Sequence, residues 1–186
     1  RGARRGTIEV GEGPQAADSA YRIPYDDLRE WIAQAEKLGE IRHVKGASWQ
    51  EDIGLAAELV QHDENAPCVI FDEIPGCRKG QRVLANFFGG RRKNMTLGFP
   101  LHYTKLELSQ AFLDSYLREL KPIPHQFVET GPVLENRITG KDIDITKFPV
   151  PLWHEGDGGR YVGTGSYNIT IDPEEKWVNV GTYRVM

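Results

Sequence analysis

Asp157 to Val185 reads DGGRYVGTGSYNITIDPEEKWVNVGTYRV, and its alternation decides the fold of this part of the chain. Tyr167, Ile169 and Ile171 alternate with Asn168 and Thr170, the period of two that sends successive side chains to opposite faces of a strand. Asp172-Pro173-Glu174-Glu175 is a turn sequence, after which Trp177 to Val185 returns with the same β-forming composition. These residues are predicted to form a β-hairpin. The glycines at 158, 159, 163 and 165 lie just before its first strand, where absent side chains let a backbone approach a ligand closely. On spacing alone an ordinary glycine-rich turn is the commoner explanation. Gly163-Thr164-Gly165 is not a dinucleotide fingerprint, because a strand and not a helix follows it.

Upstream of this hairpin the periodicity is helical. Leu28, Trp31, Ile32, Ala35 and Leu38 follow the spacing of one helix face, and Gly39 stands where a C-terminal cap belongs. Ile41 to Lys45 is a short strand candidate. Ser48-Trp49-Gln50-Glu51 has the form of a capping box ahead of Ile53, Ala56, Ala57 and Val60. The apolar runs at 68–71 and 82–87 flank a Pro75-Gly76 turn signal and are predicted to pair in a sheet covered by the helices. Thr104-Lys105-Leu106-Glu107 is a second capping box, for a helix burying Leu113, Tyr116, Leu117 and Leu120 and ended by Pro122 and Pro124. Helical periodicity then disappears. The expected organisation is a Gly-, Ala- and Arg-rich tail at 1–22, an N-terminal α/β domain at 23–123, and a second, β-rich domain from 124 to 186. The last residues still read as strand, which suggests a chain that corresponds to part of a longer protein.

Composition excludes several function classes. With 23 Lys and Arg against 27 Asp and Glu, the net charge of −4 argues against a surface built to neutralise nucleic acid. No apolar run approaches the roughly 20 residues of a membrane helix, and neither a signal peptide nor membrane contact is expected, which makes the cytoplasm the simplest location. Cys68 and Cys77 form no CxxC pair and are expected to be free thiols. His43, His62, His102, His125 and His154 show no zinc-ligand spacing. His154 lies beside Glu155 and Asp157, a possible acid–base cluster for which a solvated loop is the commoner reading. Phe88-Gly89-Gly90-Arg91-Arg92-Lys93 is readable as an anion-binding turn or, more commonly, as a solvated charge run.

Asn179 and Arg184 are the sharpest candidates for ligand contact. An amide oxygen is a neutral hard ligand suited to a divalent cation beside a phosphate, and a guanidinium holds a carboxylate through two parallel hydrogen bonds. Five positions apart, they point to opposite faces of a regular strand, so convergence on one ligand needs a bulge, for which Gly181 is the expected place. A hairpin with a polar outer face and no ligand is the alternative.

In order, Tyr25 to Glu40, Asn86-Phe87-Phe88-Gly89-Gly90-Arg91-Arg92, Gly131-Pro132-Val133-Leu134-Glu135-Asn136, Pro149-Val150-Pro151 through His154, DGGRY at 157–161 with GTG at 163–165, and NVGTYR at 179–184 resemble the UbiD-like decarboxylase family. The likeness spans about residues 25 to 186. It implies an α+β protein: an N-terminal α/β domain followed by the opening strands of a flavin-reductase-like split β-barrel, the N-terminal portion of the family's architecture. It implies prenylated FMN as cofactor, with Mn²⁺ contacted by Asn179 and K⁺ by the Val180 carbonyl. Thr182 and Tyr183 would line the flavin ring, Arg184 would be the catalytic arginine that grips the carboxylate and contacts the flavin, and Thr164 and Gly165 would border the substrate pocket.

The implied reaction is reversible, non-oxidative decarboxylation of an aromatic or heteroaromatic acid. The substrate carbon attacks the prenylated flavin, CO₂ leaves, and a glutamic acid protonates the product. The metal-ligating histidine and the glutamates of the family follow the NVGxYR segment, so residues 1–186 alone are expected to be inactive. Tyr183 points to a hydroxybenzoate-type acid. Implied partners are the small aromatic acid, a flavin prenyltransferase that supplies the cofactor, and further copies of the chain in a homo-oligomer. A non-catalytic fragment, a subunit of a split complex and a plain FMN-dependent reductase barrel are the competing readings. Residues 1–20 offer little apolar surface to bury. Their removal is expected to leave the thermal unfolding midpoint nearly unchanged, and a drop of more than a few degrees in a melting experiment would contradict that reading.

Overall fold

The computed structural model describes residues 23–118, 128–163 and 165–186. The expected tail, the boundary at 123/124, Pro122, Pro124 and Thr164 lie outside the described residues, as do the side chains of Tyr116, Leu117 and Leu120. What is described is a mixed α/β arrangement with two small sheets.

The first sheet has the order β1-β2-β3, with β1 at Ile41–Lys45, β2 at Cys68–Asp72 and β3 at Val83–Ala85. β1 and β2 are parallel, Ile41 opposite Cys68, and β2 and β3 are antiparallel, Ile70 opposite Leu84. Parallel neighbours need a crossover, supplied by helix α2 at Asp52–Gln61. The centre strand is buried from Cys68 to Phe71, and this explains its unbroken apolar run.

Helix α1, Leu28–Lys37, begins where the Asp27 side chain accepts the backbone N–H groups of Arg29 and Glu30. It ends at Gly39, whose φ of +71° is the left-handed cap the sequence predicts. Trp31 and Ala35 are fully buried and meet Cys68 and Met95 on one side of the sheet. On the other, Ile53 of α2 packs with Val69, Phe71 and Ala85. Full burial of a side chain such as Ile53 contributes about 1.5–3 kcal/mol.

Three local expectations need correction. The Ser48 cap closes on Asp52 rather than on Glu51: Asp52 Oδ2 accepts the Ser48 N–H at 2.8 Å, and Ser48 Oγ accepts the Asp52 N–H at 3.3 Å. An extra turn at 49–51 shifts the partner by one residue. The Thr104–Glu107 box forms as predicted ahead of α4, Lys105–Phe112, although Leu108 and not Leu113 is its buried residue. Most consequentially, the 88–93 charge run is not solvated throughout: Arg91 is exposed, but Arg92 is buried. Its arginines open a short helix α3, Arg92–Thr96, in which Arg92 is 0 % exposed.

The Arg92 guanidinium donates to Glu40 Oε2 at 2.6 Å and to the carbonyls of Ala66 and Asn86 at 2.9 and 3.1 Å. Arg91 donates to the other Glu40 oxygen at 3.0 Å. On the far side of α3, Thr96 Oγ1 accepts the Trp31 indole N–H at 2.8 Å and donates to the Arg92 carbonyl at 2.7 Å.

The second sheet is the predicted hairpin: β4 at Tyr167–Ile171 pairs antiparallel with β5 at Val178–Thr182. Among the described residues no helix is long and apolar enough to cross a membrane. Removing one partner of a buried ion pair leaves an uncompensated charge, at a cost of about 3–5 kcal/mol. Glu40→Ala is therefore expected to lower unfolding free energy by about that amount in urea titration; a change under about 1 kcal/mol, the worth of a surface pair, would contradict the assignment.

Candidate active site

β3 ends in a left-handed turn at Asn86, φ +55°. The Asn86 amide donates to the carbonyls of Val60, Ala66 and Pro67 at 3.3, 3.2 and 3.1 Å, which explains why a side-chain amide occupies a conformation L residues avoid. The turn sends Phe87 and Phe88 out of the sheet, the Phe87 ring 4.9 Å from that of Trp31 and 6.1 Å from that of Phe88.

Facing them is the segment 152–161. Position 54 in α2 admits no side chain: a Cβ there would stand 2.5 Å from the carbonyl oxygens of Leu152 and Trp153. Gly54 thus lets this backbone lie on the helix, where the Leu152 N–H donates to the Trp49 carbonyl at 2.9 Å. Between the two walls is a cleft of about 520 Å³, lined among others by Phe87, Phe88, Trp153, Tyr161, Glu58 and Arg184.

Its acidic groups already have partners. Glu58 faces His62 Nε2 at 2.7 Å and His154 Nε2 at 3.2 Å. Hydrogen bonds from His62 first and His154 second hold its carboxyl below the ordinary carboxylate range. Asp157 accepts the His154 backbone N–H at 3.1 Å. Arg184, by contrast, has no hydrogen-bond or ion-pair partner among the described residues. His154 thus meets Asp157 of the expected cluster but not Glu155, and the contacts join α2 to the 154–157 loop; Glu58, their centre, is four residues from His62 and far from His154 in sequence, so no local pattern pointed to it. Cys68 adds no nucleophile: burial pushes its thiol up to about 11 against the opposing charge of Arg92.

The other predicted site residues sit on or near the hairpin. β5 pairs in unbroken register, Asn179 opposite Thr170 and Gly181 opposite Asn168, so the expected bulge at Gly181 is absent. The glycine serves a different purpose. A Cβ at 181 would stand 2.5 Å from Tyr183 Cε2, so the Tyr183 ring folds back across this position, and its hydroxyl accepts the Asn179 amide at 3.3 Å. Asn168, Thr170, Asn179 and Gly181 share a polar face; Tyr167, Ile169, Ile171, Val178, Val180 and Thr182 share the other, and that face is exposed.

Arg184 leaves the strand after Thr182 and reaches the cleft, which Asn179 does not line. Gly165 is exposed, with open space about it. Phe87, Phe88 and Trp153 fall in segments quoted above, but none was read as the wall of a cleft. They come from loops about 65 residues apart, and residue type alone carries no signal of that meeting.

Comparison with known proteins agrees with the motifs. Residues 126–186 match the family described as UbiD, 3-octaprenyl-4-hydroxybenzoate carboxy-lyase Rift-related domain. Pyrrole-2-carboxylic acid decarboxylase of Pseudomonas aeruginosa is 31% identical over 169 residues, covering 86% of this chain and 34% of that protein. Ferulic acid decarboxylase 1 of Candida dubliniensis is 32% identical over 164 residues, 86% of this chain and 31% of that protein. Among solved structures, vanillic acid decarboxylase (ShVdcCD) of Sedimentibacter hydroxybenzoicus superposes with a TM-score of 0.73 in its closed form, at 29% identity, and 0.70 in its open form, at 30%; each match covers 86% of this chain and 34% of the other. The chain thus spans about a third of the length of the relatives it matches, and over that third it resembles UbiD-like decarboxylases.

A carboxyl held low by hydrogen-bond donors rises when they are removed. His62→Ala is expected to move the Glu58 titration, followed by side-chain NMR, up towards the ordinary carboxylate range, and His154→Ala to move it the same way by less. Because the folded-state value is the depressed one, any stability this contact adds is present above the ordinary carboxylate pKa and is lost as pH falls through the depressed one. A Glu58 titration unmoved by both substitutions would contradict the shared contact.

Proposed function

We propose that this chain, as a UbiD-like decarboxylase sequence, carries the carboxylate-gripping part of a reversible, non-oxidative decarboxylase of aromatic or heteroaromatic acids that uses prenylated FMN. The observation that carries the proposal is Arg184, a guanidinium without a partner among the described residues, in a cleft of about 520 Å³ whose walls include Phe87, Phe88, Trp153 and Tyr161. Such walls suit a planar ring, and the fork of an arginine suits the carboxylate on it. Both chemistries belong to the substrates that the names of the relatives state.

In this reading Arg184 binds and orients the carboxylate until CO₂ leaves, with Thr164 and Gly165 bordering the substrate. The polar face of the hairpin, with Tyr183 laid over Gly181, fits one side of a planar polar ring system; Asn179 and Tyr183 would hold the cofactor there and Arg184 would reach it from the cleft, whereas Thr182 stands on the opposite face and would need a rearranged strand end to line the ring. When bound, the cofactor supplies the electron sink for the carbon that loses CO₂. The divalent metal fits less well. Asn179 offers one neutral oxygen, and among the described residues no three His, Cys, Asp or Glu side chains come together as a metal site. Asn179 for Mn²⁺ and the Val180 carbonyl for K⁺ therefore stand as single ligands in sites that need more, and no step is assigned to a metal here.

The division into an α/β domain and the opening of a split barrel near 123/124 is part of the same proposal, as are a homo-oligomer and supply of the cofactor by a flavin prenyltransferase. A multi-subunit assembly is favoured by the vanillic acid decarboxylase relatives, which are ShVdcCD complexes. Reconstitution of the active enzyme carrying this sequence with prenylated FMN, against plain FMN, tests the cofactor through CO₂ release from pyrrole-2-carboxylate and hydroxybenzoates. Arg184→Lys loses the bidentate grip and is expected to cut turnover about tenfold or more with flavin still bound. Asn179→Ala is expected to lower cofactor content first. Unchanged turnover in Arg184→Lys would remove the basis of the proposal.

A further inference from the structure

We infer that Arg160 is a positioning residue for Arg184, holding it in place through the backbone of residues 162, 163 and 185. The inference rests on the role proposed above for Arg184 but can be read out separately from it.

The Arg160 guanidinium is committed to backbone. Its Nε donates to the Val150 carbonyl at 2.6 Å, one terminal nitrogen to the Phe148 carbonyl at 2.6 Å, and the other to the Thr146 carbonyl at 3.3 Å. Its Cζ lies 4.1 Å from the centroid of the Trp49 ring, on the turn that leads into α2. Among the described residues no carboxylate pairs with it. A cation that spends its donors on three alternate carbonyls and its face on an indole fixes the shape of a loop, and only a planar fork spans that set.

The residues that follow pass this constraint on. The Tyr161 carbonyl accepts the Trp153 indole N–H at 3.3 Å. The Val162 N–H donates to the Val185 carbonyl at 2.8 Å, and the Val185 N–H donates to the Gly163 carbonyl at 2.9 Å. The residue after Arg184 thus has both backbone polar groups bound two and three residues beyond Arg160. On the other side of Arg184, the Tyr183 carbonyl accepts the Asn168 amide at 3.2 Å. Nothing described holds the Arg184 side chain itself, so its place in the cleft follows from these backbone anchors. A misplacement of about 1 Å at a reacting group costs about a hundredfold in rate, so the loss of Arg160 belongs in turnover rather than in cofactor retention.

The test uses Arg160→Ala, Arg160→Lys and, as a milder change that removes only the stack, Trp49→Leu. In the active, flavin-loaded enzyme carrying this sequence, Arg160→Ala is expected to lower turnover per bound flavin by about tenfold or more, with KM changed by less than about threefold and flavin content kept. Arg160→Lys is expected not to restore it, added guanidinium is expected to restore part of it, and Trp49→Leu to give a smaller loss. In the 186-residue chain, hydrogen exchange at the Val162 and Val185 amides is expected to speed up about tenfold while the β2 amides keep their protection.

Turnover per bound flavin within about twofold of the unmodified enzyme overturns the inference, whatever the exchange rates. So does a fall in flavin content and thermal midpoint with turnover per bound flavin intact, which would make Arg160 structural only. If the unmodified enzyme releases no CO₂ from any aromatic acid, the proposed function fails, and the Val162 and Val185 exchange rates alone decide whether Arg160 positions this backbone.

Discussion

The buried guanidinium of Arg92 is the constraint around which the rest is arranged. Taking a charge out of water costs several kcal/mol unless it is compensated, and here both terminal nitrogens are met by three separate pieces of chain, while Nε has no partner among the described residues. Glu40 supplies the carboxylate just before β1, Ala66 a carbonyl just before β2, and Asn86 a carbonyl just after β3. Glu40 also gives its backbone carbonyl to the Cys68 N–H at 2.8 Å. One side chain therefore fixes the same end of all three strands. Two apolar faces can slide past one another at small cost; a guanidinium with directional bonds to three strand ends cannot, so the pair contributes register more than stability.

That end of the sheet is also where the cleft opens. The Asn86 turn is held by its own amide on Val60, Ala66 and Pro67, and the carbonyl of the same residue serves Arg92. Phe87 and Phe88 project from a point pinned twice. The opposite wall reaches the sheet by a different route, through a helix with no side chain at position 54 and a tryptophan, Trp49, whose backbone carbonyl accepts the Leu152 N–H and whose indole meets Arg160. Two walls set by separate anchors define a cleft whose width side-chain repacking alone does not change. Into it comes Arg184, carried by a hairpin that is polar on one face and apolar on the other.

Much of the local structure was legible in the residues. Gly39 ends α1, Thr104 and Glu107 close a reciprocal cap, and the alternation from Tyr167 to Ile171 predicts the strand that forms. Arg184 was legible as a carboxylate-binding candidate from its type and from the motif around it. The failures share a cause. The Ser48 cap missed by one residue because a turn at 49–51 is invisible to a pattern that assumes the helix starts at once. Arg92 was read as solvated because a charge run normally is, and its burial depends on carbonyls 6 and 26 residues away and a carboxylate 52 residues away. Gly181 was assigned a bulge, whereas it makes room for a ring two residues on.

By itself the sequence determined the capping of α4, the glycine that ends α1 and the alternation of the hairpin strands, because capping bonds and side-chain periodicity act over one to four residues. It also carried the resemblance to UbiD-like decarboxylases, through motifs whose order is a property of the chain. Only the tertiary structure decided which charges are buried, which aromatic rings face the unpartnered arginine, and that Glu58 stands between two histidines. Those outcomes depend on distances between residues far apart in the chain. Such distances follow from how apolar faces and directional hydrogen bonds are satisfied together, and no local pattern encodes them.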